Sequence, residues 1–213
     1  MNKDNISALL TGIGVVALIV GFAIYFNSPG VNKSSLGSSN GQVITSNGNS
    51  ENSISNVKLS IDKSQFRKAP EFKGITSYIN TNQTKLSDLK GKVVLVDFWT
   101  YSCINCIRTL PYLVDWNQKY SDKGLVIVGV HSPEFEFEKN INNVKQAVTR
   151  FGIKYPVLLD NDHETWNAFQ NSYWPRKYLV DSDGYIRYDH IGEGGYAETE
   201  NAIRRLLGER SNQ

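Results

Sequence analysis

Residues 93–106 read VVLVDFWTYSCINC, and the rest of the chain can be interpreted outward from them. The stretch begins as a run of β-branched and other apolar residues, which is typical of a strand buried on both faces. It ends in Cys103 and Cys106, which are followed by a helix-like segment to about Tyr120. These are the only 2 cysteines among 213 residues. A single Cys-x-x-Cys at a strand-to-helix junction indicates a protein that cycles between a dithiol and a disulfide.

The spacing predicts different roles for the two thiols. Cys103 would lie at the start of the helix, where the helix dipole and free N–H groups stabilise a thiolate. Cys106 would lie one turn further along and be more deeply buried. We therefore expect Cys103 to attack a substrate disulfide and Cys106 to resolve the mixed disulfide that results.

The cysteine pair has two other interpretations. A purely structural disulfide is possible, but so short a loop gains little stability from closure. Half of a zinc site is also possible, but no second Cys-x-x-Cys or His-x-His follows, and His131, His163 and His190 are scattered. We therefore predict no metal ion and no cofactor other than the redox-active Cys103–Cys106 disulfide itself.

An acidic residue interrupts the apolar strand. Asp97 lies six residues before Cys103, and burial there would raise its pKa because desolvation disfavours the charged form. The carboxyl group could then exchange a proton with the Cys106 thiol. The alternative is a structural carboxylate whose hydrogen bonds are satisfied on an edge strand.

The dipeptide Trp174-Pro175 precedes a predicted strand. An aromatic residue before proline favours the cis form comparatively well, whereas a trans proline often marks the start of a strand. The residues alone leave both forms open.

Strands alternate with helices along the chain, which predicts an α/β fold: a central mixed sheet flanked by helices in three layers. The closing strand pair, around the turn at 181–184, adds antiparallel strands at one edge. Strands are predicted at 74–80, 86–90, 92–99, 125–130, 155–159, 177–180 and 185–190, and helices at 103–120, 138–151, 164–169 and 196–207.

The amino-terminal region has a different composition. Residues 6–26 carry no charge, and a helix of that length, rising about 1.5 Å per residue, could cross a hydrocarbon core of roughly 30 Å. A buried core helix would carry a polar stripe, and a cleaved signal peptide would be followed by a small-x-small cleavage site, but neither is present. We predict an uncleaved transmembrane anchor at 1–26, with its amino terminus in the cytoplasm because Lys3 precedes the span.

The remaining chain divides into a tether and a folded domain. Residues 27–56 are rich in Ser, Asn and Gly, so they are predicted to be a flexible linker. Residues 57–213 then form the folded domain outside the membrane. The 23 basic and 21 acidic residues give a net charge of +2 and are interspersed, which argues against nucleic acid as a partner.

Several separated motifs resemble a known fold. Val-Asp-Phe-Trp at 96–99, the Cys-x-x-Cys at 103–106, and prolines at 111 and 175 are similar to the thioredoxin fold. Further motifs at 69–72 and 86–91, with the additional helix at 138–151, resemble the membrane-anchored TlpA/ResA-like branch. More specifically, FWTYSCINCIRTLP at 98–111, VHSPEFEFE at 130–138 and GEGGY at 192–196 resemble the thioredoxin-like domain of DipZ-type proteins. The resemblance covers roughly residues 66–209.

This resemblance implies a thiol–disulfide oxidoreductase that acts outside the cytoplasmic membrane. Its substrates would be exported proteins with thiols or disulfides, apocytochromes among them. Pro175 would be cis and face the dithiol, and the backbone beside Trp174 would pair with an extended substrate segment. Asp97 falls at the family's buried acidic position, and Trp99 is expected to support the site.

The sequence also departs from the relatives. DipZ-type chains carry a multi-helix electron-transfer domain, whereas here one predicted span without cysteines precedes the domain, so a separate membrane electron donor is expected. No positive charge lies between the cysteines, at Ile104-Asn105, which favours a reductase or isomerase over a strong oxidant. The direction of electron flow stays open.

Two alternative functions remain at this point. A thiol peroxidase of this scaffold would carry the pattern Pro-x-x-x-Thr-x-x-Cys. Here Thr100 matches the threonine of that pattern, but residue 96 is Val and not Pro. A copper-binding or assembly module would favour Cys-x-x-x-Cys with a positioned histidine, for which His131 is the candidate.

Overall fold

The computed structural model describes residues 62–211. The predicted anchor at 1–26 and linker at 27–56 lie outside the described residues. Within residues 62–211, no helix is both long enough and apolar enough to cross a membrane.

A six-stranded mixed sheet, ordered β1-β4-β3-β2-β5-β6, forms the centre of the domain. The strands β2, β3 and β4 run parallel to one another, and β1, β5 and β6 are antiparallel to their neighbours. The predicted mixed sheet is therefore confirmed. The six strands are Ser77–Ile79, Val93–Trp99, Leu125–His131, Val157–Leu159, Arg176–Val180 and Ile186–Ile191, numbered β1 to β6 in chain order.

In the described part of the chain, four α-helices accompany the sheet: Ile104–Tyr120, Ile141–Arg150, Glu164–Ala168 and Tyr196–Ser211, numbered α1 to α4. The alternation of side chains along β2 explains the layers, because successive residues of a strand point to opposite faces. Leu95 and Trp99 face a core that includes buried residues of α1, α2 and α4, whereas Val96 and Phe98 face a second core that includes Trp166 of α3. Helices therefore cover both faces of the sheet.

The strand predicted at 86–90 is wrong. Residues Leu86–Leu89 form a 3-10 turn instead. The Glu71 carboxylate accepts hydrogen bonds from the backbone N–H groups of Leu86, at 2.5 Å, and Ser87, at 3.0 Å. A side chain thus satisfies donors that a strand would have presented to a neighbouring strand.

The helix predicted at 138–151 is divided in two. A 3-10 turn covers Glu136–Lys139, and α2 begins only at Ile141. Asn140 separates them because its backbone is extended and its side chain accepts a hydrogen bond from the N–H of Asn142, at 2.9 Å, as a helix cap does. The other predicted helices and strands are present, with ends displaced by a few residues.

Candidate active site

The cysteine pair lies where the most deeply buried strand meets the longest described helix. All seven residues of β2 are buried, and the chain passes from Trp99 through a short loop into α1 at Ile104. Cys103 is the cap residue of that helix, with an extended backbone. Both cysteines are free thiols; Cys103 is partly exposed and Cys106 is buried. The structure thus places the two thiols as the sequence predicts.

Cys103 is surrounded by hydrogen-bond donors. Its Sγ accepts a hydrogen bond from the backbone N–H of Cys106, at 3.3 Å. The Cys106 thiol, together with the N–H groups of Cys106 and Asn105, lowers the pKa of Cys103 to about 6, against an opposing contribution from burial and from the Glu134 carboxylate. The donors replace the missing cation between the cysteines, so the thiolate is more stable than the Ile104-Asn105 pair led us to expect.

The pKa of Cys106 is shifted in the opposite direction to that of Cys103. Its side chain is 1% exposed. Burial, reinforced by the hydrogen bond to Cys103, raises the pKa of the Cys106 thiol far above its ordinary value. The site therefore combines a thiolate with a protonated thiol that donates to it.

Asp97 is buried in the middle of the sheet. Its strand lies between β3 and β5, where it pairs with Gly129 on one side and Lys177 on the other. The alternative of a carboxylate on an edge strand is therefore wrong. The pKa of Asp97 is raised to about 7: burial raises it most, the Lys177 charge opposes this, and the Cys103 charge adds a smaller increase. Within residues 62–211, its Oδ1 has no hydrogen-bond partner.

Gly129, which pairs with Asp97 in the sheet, lies close to two other buried side chains. A Cβ atom there would lie 3.0 Å from Trp99 Nε1 and 3.3 Å from Tyr155 Cε2. Trp99 itself is fully buried, and its Nε1 has no hydrogen-bond partner in the described part of the chain. The predicted supporting residue Trp99 thus lies two residues beyond Asp97 on the same face of the sheet.

Lys177 is a site residue that the sequence reasoning missed. It is 1% exposed, and its Nζ donates a hydrogen bond to the Gly192 carbonyl oxygen at 3.3 Å. Burial lowers the pKa of Lys177, while Asp97 and Cys106 act to raise it. The signal was present in the alternation of β5, since Lys177 shares a face with the buried Leu179.

Tyr155 was also missed as a site residue. It is 2% exposed, and among the described residues its hydroxyl has no hydrogen-bond partner. Burial raises the pKa of Tyr155 well above its ordinary value, and the nearby Asp97 charge adds to this.

Trp174 and Pro175 lie at the same end of the sheet as the cysteines. The peptide bond between them is cis, as the resemblance implied. Arg176 pairs with Phe98, which places Pro175 level with the end of β2. The Trp174 indole donates a hydrogen bond from Nε1 to the Ser132 carbonyl oxygen, at 2.9 Å.

A buried carboxylate fastens the loop after β3 to the cysteine loop. Glu138 is fully buried, accepts a hydrogen bond from the Ser102 hydroxyl, and accepts backbone N–H donors from Glu134 at 2.6 Å and Phe135 at 3.0 Å. Burial opposes its ionisation, but these hydrogen bonds outweigh burial and hold the pKa of Glu138 below its ordinary value. From the sequence, Glu138 is recognisable only as the last residue of the motif at 130–138.

His131 is a packed residue beside the site. It is fully buried, and its Nε2 lies 3.3 Å from the Thr100 hydroxyl. Its ring stacks on Tyr101 with centroids 5.7 Å apart, and burial lowers the pKa of His131 to about 4. Among residues 62–211, no group of three or more His, Cys, Asp or Glu side chains is arranged to hold a metal ion.

A parallel-centred sheet with a Cys-x-x-Cys at the start of the helix after its central strand, level with a cis-proline, defines a thioredoxin-fold redox domain. The chain belongs to the redoxin family, whose family model matches residues 66–206.

Known proteins share this domain to different extents. The chain is 51% identical over 142 residues to Protein DipZ of Mycobacterium tuberculosis, a match that covers 65% of this chain but only 20% of DipZ. It is 31% identical over 140 residues to the thiol-disulfide oxidoreductase YkuV of Bacillus subtilis, covering 66% of this chain and 94% of YkuV. The solution structure of a thioredoxin-like protein in the oxidised form superposes with a TM-score of 0.62 at 31% identity, over 68% of this chain and 97% of that one.

Proposed function

We propose that the chain is a thiol–disulfide oxidoreductase that acts through Cys103 and Cys106 and uses no other cofactor. The observation that carries the proposal is the contrast between the thiols: the pKa of Cys103 is lowered to about 6, whereas that of the buried Cys106 is raised. The name of the relative YkuV, a thiol-disulfide oxidoreductase, supports the same activity.

The reaction proceeds in two exchanges. The Cys103 thiolate attacks one sulfur of a substrate disulfide, the substrate S–S bond breaks, and the leaving substrate thiolate takes up a proton from solvent. Cys106 then loses its proton and attacks the Cys103 sulfur, which releases the second substrate thiolate and forms the Cys103–Cys106 disulfide. One substrate disulfide is reduced to two thiols and one protein dithiol is oxidised.

Asp97 supports the second exchange by accepting the Cys106 proton. A carboxyl group with a pKa of about 7 is matched to proton transfer near neutral pH. Lys177 adjusts this value from the neighbouring strand, since its charge favours the ionised form of Asp97. Trp99 packs beside the carboxyl group, and the backbone at Trp174-Pro175 supplies the edge along which an extended substrate segment binds.

The domain acts on exported proteins, outside the cytoplasmic membrane. The support is the uncharged segment at 6–26, which is long enough to anchor the chain, and the tether composition of 27–56, which lets the domain at 57–213 reach its substrates. As a reductase or isomerase, the protein needs a separate membrane electron donor to return Cys103 and Cys106 to the dithiol.

Turnover of insulin disulfides by the full-length chain tests the proposal, with peroxide consumption measured alongside. We expect the wild-type chain to reduce insulin, Cys103→Ser to be inactive, and Cys106→Ser to accumulate a mixed disulfide with its substrate. Full insulin turnover by Cys103→Ser, or peroxide consumption without disulfide exchange, would contradict the proposal.

A further inference from the structure

Two large apolar side chains close to the cysteine loop are exposed to solvent. Phe135 is 51% exposed and Phe137 is 56% exposed, and their rings stack with centroids 5.6 Å apart and planes 5° from parallel. Contiguous exposed apolar surface of this kind marks interaction sites more often than scattered single residues do. We call Glu134, Phe135 and Phe137 the aromatic–acidic surface.

This surface is held rigidly against the segment that precedes Cys103. The Glu138 carboxylate binds the backbone at Glu134 and Phe135 on one side and the Ser102 hydroxyl on the other. The Tyr101 hydroxyl donates a hydrogen bond to the Phe137 carbonyl oxygen at 3.2 Å. The chain therefore fixes two phenylalanine rings in water beside its nucleophile, which reduces the entropy lost when a partner binds them.

The surface also carries a negative charge that acts on the nucleophile. Glu136 pairs with Lys139 at 2.7 Å, and Glu138 is buried in its hydrogen bonds. Glu134 is exposed and, within residues 62–211, makes no ion pair. The Glu138 carboxylate binds both the backbone N–H of Glu134 and the Ser102 hydroxyl, which holds Glu134 near the residue before Cys103. The Glu134 carboxylate opposes the lowering of the Cys103 pKa that the Cys106 thiol and backbone donors produce.

We propose that the aromatic–acidic surface docks the unfolded segment around the substrate cysteine and selects segments that carry an aromatic and a basic side chain beside that cysteine. This inference rests on the proposed function and names its substrate class. Aromatic side chains gain by stacking on the phenylalanine rings. A basic side chain pairs with Glu134 and thereby cancels the charge that opposes ionisation of Cys103, so the correct substrate helps to activate the nucleophile.

The occupant is an extended segment of another protein for two reasons. The segment that carries the surface is hydrogen-bonded to Tyr101 and Ser102, which immediately precede Cys103, and Ile104 between the cysteines adds an apolar side chain that is 56% exposed. An acidic partner would be repelled by Glu134, whereas a basic one is attracted.

Single-turnover kinetics with two short synthetic peptides test the inference on the full-length chain. Each peptide carries one cysteine in a disulfide with 2-nitro-5-thiobenzoate, flanked by Phe and Lys in one peptide and by Ser and Glu in the other. Cys103 attacks the peptide sulfur and releases the coloured thiolate, whose absorbance reports the rate. We expect the Phe/Lys peptide to react about tenfold faster, since aromatic stacking and one exposed ion pair each contribute a few-fold.

The ratio of the two rates is compared among variants. The double variant F135A/F137A should lower the ratio about threefold, and Glu134→Gln should also lower it about threefold and remove its dependence on salt. Glu136→Gln, a neighbouring exposed carboxylate already paired with Lys139, is the matched control and should leave the ratio unchanged. Glutathione disulfide should react at the same rate with the wild-type chain and with Glu136→Gln, and faster with Glu134→Gln, because this variant neither opposes the ionisation of Cys103 nor repels the glutathione carboxylates.

The outcomes separate the inference from the proposed function. Equal rates for the two peptides in the wild-type chain, or a ratio unaffected by F135A/F137A and Glu134→Gln, would overturn the docking surface alone. A wild-type chain that reacts with neither peptide and not with glutathione disulfide would contradict the proposed function itself.

Discussion

Cys103 and Cys106 share one short motif, yet the structure separates their chemistry by burial. Cys103 is partly exposed at the helix start and accepts hydrogen bonds, while Cys106 is buried one turn further along and donates one. Because the Cys106 thiol is the largest contributor to the lowered pKa of Cys103, the nucleophile depends on the protonation of its own resolving partner.

A matched pair of variants tests this dependence. Cys106→Ala removes the donor and should raise the pKa of Cys103 from about 6 toward its ordinary value of 9.0. Cys106→Ser keeps an O–H donor at the same position and should hold the pKa low. The pH dependence of Cys103 alkylation by iodoacetamide measures both values. If the two variants gave the same pKa, the hydrogen bond from residue 106 would not be the cause.

Asp97 should make the stability of the domain depend on pH. The folded state keeps the Asp97 proton up to about pH 7, whereas the unfolded state loses it near the ordinary value of 3.8. Between these values the unfolded state binds fewer protons, so this residue makes the free energy of unfolding fall as pH rises. Asp97→Asn removes the effect, and its stability relative to wild type should increase by about 3 kcal/mol from pH 4 to pH 8.

Urea denaturation across that pH range measures the difference. Asp115→Asn is the control, since Asp115 forms an exposed i,i+4 pair with Lys119 and should give a small difference that varies little with pH. A constant difference for Asp97→Asn across the range would show that Asp97 ionises normally in the folded state.

The sequence predicted those site residues that can be recognised within one short stretch of the chain. The cysteine spacing and the lone carboxylate in an apolar run are visible within one short stretch. Lys177 lies 80 positions beyond Asp97 in the numbering and meets it only through the register of β2 with β5. Tyr155 lies just before β4, and the Asp97 charge contributes to its raised pKa. One sequence does not specify these pairings, because register is set by the assembled sheet.

Among the secondary-structure elements, the connection after β3 differs most from its sequence interpretation. A continuous helix was predicted from the spacing of apolar residues, but Asn140 caps α2 and Glu138 folds back onto the preceding loop. The spacing of apolar residues does not reveal where a side chain accepts hydrogen bonds from backbone N–H groups and so interrupts the helix. The same mechanism, with Glu71 as the acceptor, replaced the predicted strand at 86–90 with a turn.

Glu138→Gln tests how firmly this loop is fastened. The substitution removes the charge of a fully buried carboxylate and replaces one of its two accepting oxygens with an NH₂, which cannot accept either the Ser102 hydroxyl or the backbone N–H groups of Glu134 and Phe135. We expect a loss of about 1–3 kcal/mol in the free energy of unfolding. Glu136→Gln, whose side chain is 86% exposed, should change it by less than about 0.5 kcal/mol. Urea denaturation at neutral pH compares the two, and equal stabilities would show that the Glu138 hydrogen bonds do not fasten the loop.

For the whole molecule, the relatives indicate how much chain the fold needs. The match covers 94% of YkuV but only 20% of DipZ, so the same domain occurs nearly alone and within a much longer protein. The described cores extend from Phe72 to Leu206. We predict that a fragment of residues 57–213 unfolds cooperatively and reduces insulin at the rate of the full-length chain. Aggregation of the fragment, or activity reduced tenfold, would place essential residues before position 57.

The anchor prediction is independent of the redox chemistry. Residues 6–26 contain no charged side chain, and an apolar segment of about 20 residues is sufficient to cross a bilayer as a helix. Lys3 before the segment favours a cytoplasmic amino terminus, which places residues 57–213 on the outer side.

In cells, the full-length chain should stay with the membrane after alkaline carbonate extraction, whereas the fragment 57–213 should be released. Protease added to intact protoplasts should digest the domain.

Replacing Val15 and Leu18 with Arg should release the chain, because a charge at the centre of a spanning helix costs about 3 kcal/mol. A full-length chain that is extracted by carbonate, or that resists external protease, would contradict the anchor or its orientation while leaving the reactions of Cys103 and Cys106 untouched.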